Sequence, residues 1–190
     1  MKRIITLITL FISLTIFSQE FKTSLDYTIT NFKSELNKTK NKHAKQLEVY
    51  LYKNDEPITK LINLDKDDLD FFMDVTVQVL ENPNLKDVKQ IIKIEFEFLA
   101  CCSSYESLYF IQTTDNEIVK LPQLDYMFCE YATDKMEYVF PAQKFGQENV
   151  ILTTTSYLDI SQKTESIAIL NTQIWEEKDV VREYSYNYEK

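Results

Sequence analysis

Ile92, Ile94, Phe96, Phe98, Ala100 and Cys102 occupy every second position of one continuous run, with Lys93, Glu95 and Glu97 in the gaps. No other feature limits the fold as strongly. Successive side chains of a strand point to opposite faces of the pleat, whereas a helix would scatter this set around its axis. The run predicts a long strand with one buried apolar face and one face turned to water. Two further strand-like runs follow, Ser107 to Thr114 and Glu117 to Leu121, with Asp115-Asn116 between them. Asp and Asn tolerate positive φ, so these two residues predict a two-residue hairpin loop. The register of such a loop puts Leu108 and Phe110 on the same face as Val119 and Leu121.

Gly146 is the only glycine and His43 the only histidine of the chain. A phosphate-cradling loop needs several glycines at fixed spacing, and the usual nucleophile elbow needs two. Histidine-based zinc sites and Ser-His or Cys-His pairs have almost nothing to draw on. An enzyme, a metal site and a bound cofactor are therefore not expected. Turns must rest on Asn, Asp and Pro, which the chain supplies at Asn54-Asp55, Asn82-Pro83-Asn84 and Asp115-Asn116.

The chain opens with Met1-Lys2-Arg3, an apolar run from Ile4 to Phe17, and Ser18-Gln19. A positive start, an apolar middle and a small residue at the end predict a secretory signal peptide over 1–18. The run is too short for a comfortable bilayer span and is interrupted by Thr6, Thr9, Ser13 and Thr15, so no stable membrane span is expected after cleavage. The expected location is periplasmic or secreted. Without Lys2 and Arg3, 19 basic residues face 30 acidic ones, a balance of −11. Such a body repels phosphate backbones and does not suit nucleic acid; a protein or glycan partner outside the cytoplasm suits it better.

Residues 19–45 form a polar leader in which Leu25, Ile29, Phe32 and Leu36 fall at helical spacing, predicting a short amphipathic helix or, failing that, an extended leader. Residues 46–190 read as the β domain. Leu47, Val49 and Leu51 alternate with Glu48, Tyr50 and Tyr52, and Asn54-Asp55 turns the chain into Ile58–Asn63, a first hairpin. The acidic stretch Asp65–Asp70 lacks the glycine and glutamate of a calcium loop and predicts a solvated turn. Phe71–Leu80 fits a helical face with Asp65 as N-cap and fits a strand equally; Val75, Val77 and Val79 favour the strand. Further short runs at Leu124–Tyr131, Met136–Phe140, Val150–Ser156, Glu165–Trp175 and Val180–Tyr188 complete the pattern. The fold class is mainly β, a single antiparallel sandwich or barrel-like domain.

Of the three cysteines, two should pair in an oxidising compartment. Cys102 lies on the face expected to be buried, which favours Cys102–Cys129, with Cys101 as the alternative partner of Cys129. Tyr184, Tyr186 and Tyr188 share one face of the last strand, with Trp175 across the hairpin. Aromatic rings offer rigid contact area for sugars or proteins, so these four are the candidate binding residues. The sequence thus describes an exported, non-catalytic binding or interaction protein. The alternative is an inhibitor or immunity-type protein that blocks a basic secreted enzyme or toxin through its acidic surface.

Overall fold

The computed structural model describes residues 18–29, 46–129, 134–158, 164–176 and 179–185. They form antiparallel strands throughout, with one short helix among the described residues. Three sheets result. The central one has the order β1 (Lys22–Thr23), β5 (Phe72–Glu81), β6 (Val88–Leu99), β7 (Ser103–Thr113) and β8 (Ile118–Lys120), and β9 (Leu124–Phe128) pairs with the other end of β7. An N-terminal sheet contains β2 (Tyr27–Ile29), β3 (Gln46–Lys53) and β4 (Glu56–Asp65). A C-terminal sheet runs β10 (Lys135–Val139), β11 (Val150–Leu158), β12 (Thr164–Glu176) and β13 (Asp179–Ser185).

The central sheet is covered on both faces. On one side Ile92, Ile94, Phe96, Leu108 and Phe110 pack against Tyr27, Leu47, Val49 and Leu51 of the N-terminal sheet. On the other, Leu80, Ile91, Tyr109 and Ile111 pack against Tyr138, Phe140, Ile151 and Trp175. The alternation of β6 places Ile92 to Phe98 as expected, but the strand ends at Leu99, leaving Ala100 exposed and Cys102 half-buried in the turn, and the companion face is not wet: Lys93 is 3% exposed. Periodicity marks which residues share a face and cannot report what lies over it.

Two turns illustrate how the chain manages with one glycine. Asn54 and Asp55 both have positive φ and join Lys53 to Glu56, the mirror-image turn that suits the twist of a hairpin. The β7–β8 loop instead holds three residues. Ile111 pairs with Val119, the Asn116 N–H donates to the Thr113 carbonyl, and Asn116 sits at φ 70°. This corrects the two-residue loop expected at Asp115-Asn116 and shifts the register by one. Val119 and Leu121 consequently share the core of Tyr109 and Ile111 rather than that of Leu108 and Phe110. A type I turn closed by a left-handed residue is the usual three-residue solution, and Asn fills the place of glycine.

The acidic stretch becomes the N-terminus of helix α1 (Lys66–Phe71). The Asp65 side chain accepts from the N–H groups of Asp67 and Asp68 while Asp68 caps the Asp65 N–H. Phe72–Glu81 is then a strand, as its valines predict. The leader departs from expectation. Lys22–Thr23 pairs with β5 and Tyr27–Ile29 with β3, so the first part of the expected amphipathic helix is extended, and Leu25 is 93% exposed. The other part, with Phe32 and Leu36, lies outside the described residues, as do residues 1–17 of the signal peptide expected over 1–18. No helix among the described residues is long and apolar enough to cross a membrane.

Cys102 and Cys129 are joined, with Cα atoms 5.0 Å apart, and tie the β6–β7 turn to the end of β9; Cys101 is exposed and unpaired. The bridge closes a 27-residue separation, for which chain entropy gives about 3 kcal/mol of stabilisation. We expect Cys129→Ser to lower stability in urea unfolding by about that amount. Alkylation of the native protein should modify Cys101 alone.

Candidate functional site

The site grows from three cross-strand pairs of β6 and β7: Lys93 opposite Tyr109, Glu95 opposite Ser107 and Glu97 opposite Tyr105. Paired side chains project to the same face, so these residues form a polar row toward the C-terminal sheet. Glu95 Oε2 accepts from Lys93 Nζ at 2.6 Å, from the Tyr126 hydroxyl at 2.8 Å and from Ser107 Oγ at 2.9 Å. Tyr126 comes from β9, its ring stacked on Tyr105 at 4.9 Å. The Tyr105 hydroxyl in turn donates to Glu97 Oε1 at 2.8 Å.

Burial dominates the electrostatics here. It pushes the Lys93 ammonium below its ordinary range, and the charge of Lys135 adds to the effect while Glu95 opposes it. Burial alone would raise the Glu95 carboxyl, but Lys93, Lys135 and its hydrogen bonds outweigh that and hold it below the ordinary value. Tyr109 and Tyr126 are held protonated far above the tyrosine range, first by burial and then by nearby carboxylates.

Across from this row, β10 presents a second Lys-x-Glu pair. Lys135 Nζ lies 3.4 Å from Glu137 Oε2, and Ser156 Oγ donates to Glu137 Oε1 at 2.7 Å. Between the two sheets opens a cleft of about 580 Å³, lined by Lys93, Tyr109 and Gln78 on one wall and by Lys135, Glu137 and Val139 on the other. Residues 18–21 and the loop bearing Gln143, Lys144 and Phe145 form its rim. A second groove, of about 700 Å³, runs along residues 18–27 and carries no comparable buried ion pair.

The rim loop explains the single glycine. A Cβ on Gly146 would collide with the carbonyl oxygens of Phe140 and Pro141, so close approach rather than positive φ requires glycine there. Positive φ falls on the neighbour, Phe145, at 70°; the other described positive-φ residues are all Asn or Asp. Its ring lies under the Lys144 ammonium, 4.7 Å from the centroid. A bulky residue held in the left-handed region stores strain of about 1–3 kcal/mol, and such strain concentrates at ligand-holding loops.

Of the aromatic set singled out in the sequence, only the Trp175 side chain falls among the described residues. Trp175 is 6% exposed and its Nε1–H donates to the Lys86 carbonyl at 2.9 Å, so it is a core side chain and not an exposed platform. Its strand partner is Val180, while Tyr184 pairs with Thr172 further along. Tyr186 and Tyr188 lie outside the described residues. The residues that do converge, Lys93, Glu95, Tyr109, Tyr126, Lys135 and Glu137, carried one legible signal: two Lys-x-Glu pairs, each putting opposite charges on one face of a strand. Among the described residues no group of three or more His, Cys, Asp or Glu is placed to hold a metal ion. No family model, curated protein or solved structure matches the chain.

Two outcomes follow from this geometry. Glu95 sits below the ordinary carboxyl value of 4.5, so its stabilisation is complete above that pH and is lost as pH falls through its folded value. Glu95→Gln should lower stability at pH 7 by about 3 kcal/mol, because it leaves Lys93 buried and unpaired. It should also flatten the acid-side loss of stability in urea titrations. Gly146→Ala should lower stability by about 1–3 kcal/mol and alter the amide signals of residues 140–146, read by NMR.

Proposed function

We propose that the protein is exported and acts as a non-catalytic binding protein that takes its ligand into the cleft between the central and C-terminal sheets. The observation that carries this reading is the pairing of a buried ion pair on the cleft floor with a strained aromatic residue on its rim. A buried pair does little for stability that apolar residues would not do as well, so its presence beside a cavity argues for a binding role. The basic start, the apolar run to Phe17 and a disulfide of the kind oxidising compartments favour all support export.

A second reading, inhibition of a basic enzyme or toxin, draws on the opposite face of the central sheet. There burial, reinforced by the charges of Asp125 and Asp68, raises the Glu106 carboxyl above its ordinary range. A basic partner would relieve that repulsion, and its binding would weaken steeply with salt.

The test is a fragment screen followed by amide chemical shifts on protein purified after expression of the full chain. Hits should move Lys93, Tyr109, Lys135 and Phe145 and be recovered chemically unchanged. Hits that all map to other surfaces, or none at all, would discard the cleft reading. Mass spectrometry of the exported protein should find Gln19 as its first residue.

A further inference from the structure

Within each Lys-x-Glu pair the two partners differ in what they leave unused. An ammonium has three N–H donors and no acceptor, whereas a carboxylate only accepts. Glu95 Oε2 already takes three donors, and both Glu137 oxygens are engaged, one by Lys135 and one by Ser156. Among the described residues, Lys93 Nζ meets a single acceptor, Glu95, and Lys135 Nζ a single one, Glu137. Two N–H donors on each ammonium are therefore left for the contents of the cleft. Lys93 is also nine-tenths or more removed from solvent, so water satisfies its donors only from within the cleft. Tyr109 lines the same space, and its hydroxyl accepts from the Tyr138 backbone.

Spare donors and two neighbouring cations call for an acceptor-rich group of negative charge. Part of the remaining lining is apolar, Phe21, Val139, Phe145 and Ile167, beside polar and charged side chains that include Glu20, Gln143 and Lys144. We propose that the cleft binds an amphipathic organic monoanion, a carboxylate head carrying an apolar tail, with Lys93 and Lys135 holding the head and the rim aromatics covering the tail. This rests on the cleft reading above and names its ligand class. A volume of about 580 Å³ suits a tail of moderate length, within the ordinary range for small-molecule sites. The head would sit between two ammonium groups that otherwise repel one another, so an anion there relieves the repulsion that Lys135 exerts on Lys93.

The experiment compares three probes of equal tail length, octanoate, octylammonium and octyl glucoside, by calorimetry and amide shifts on the purified protein. Octanoate should saturate at one per chain and shift Lys93, Tyr109 and Phe145. Octylammonium and octyl glucoside should bind at least about tenfold more weakly, the value of one lost charge-assisted hydrogen bond. Lys135→Met, at a part-exposed position, should weaken octanoate by about tenfold without unfolding the chain. Lys93→Met should weaken it further where the variant folds, as far-UV dichroism will establish. Equal or tighter binding of octylammonium or octyl glucoside at the same amides would overturn the anion assignment and leave the cleft reading standing. Silence from all three probes would also overturn it, and the cleft reading would then stand or fall with the fragment screen.

Discussion

Lys93 carries a charge in the middle of strand β6 at 3% exposure, and the packing of the face turned to the C-terminal sheet depends on how that charge is neutralised. Moving an isolated ammonium out of water is prohibitive; moving it beside a carboxylate that already holds two hydroxyl donors is tolerable. Glu95 supplies that partner two residues along the same strand, and Tyr126 and Ser107 bring β9 and β7 to it. With the pair satisfied, the C-terminal sheet can close over this face. An unpaired lysine there would hold the sheet open to solvent.

The other face of the same strand uses a different polar solution. Gln90 and Gln112 are direct cross-strand partners, and a Gln90 amide N–H donates to Gln112 Oε1 at 2.8 Å. The Tyr27 hydroxyl, from β2, joins them. A buried amide network is unforgiving of a missing partner, so it fixes where the short β2 strand must lie. The N-terminal sheet is thus located by a polar contact to the central one, whereas the C-terminal sheet packs on it chiefly through Tyr138, Phe140, Ile151 and Trp175.

How much of this could be read in advance follows from which interactions are local. Alternation along 92–102 identified β6, the valines of 75–79 identified β5, and Asn54-Asp55 identified the first hairpin turn, because each is decided by neighbours in sequence. Alternation continued to residue 102 picks Cys102 as the partner of Cys129, yet β6 ends at Leu99 and Cys102 makes the bridge from the turn, half-buried. The loop at residues 114–116 was misjudged by one residue, since Asn is acceptable at both central positions of the shorter turn and at the left-handed position of the longer one. Spacing favours a helix through Leu25 over the extended alternative, but pairing of Lys22–Thr23 with β5 and of Tyr27–Ile29 with β3 decides for the extended one. The cleft was illegible because its walls, Lys93 and Lys135, meet only through tertiary packing. Spacing makes Trp175 a contact candidate because a sequence does not say which face of a terminal hairpin is covered, and the structure buries it.

Asn and Asp occupy seven of the eight described non-glycine positions with positive φ, and glycine occupies none. The consequence lies in the unfolded chain. Glycine roams more of conformational space than any other residue and loses more of it on folding. A molecule that makes its reversals with residues bearing a Cβ begins from a smaller denatured ensemble, a difference of about 0.4–1 kcal/mol at each site. Against this stands the native discomfort of the left-handed region, least for Asn and Asp, whose side chains bond locally. Many reversals in this β fold are therefore partly prepaid by restricted disorder, which suits long non-local pairings such as β7 with β9.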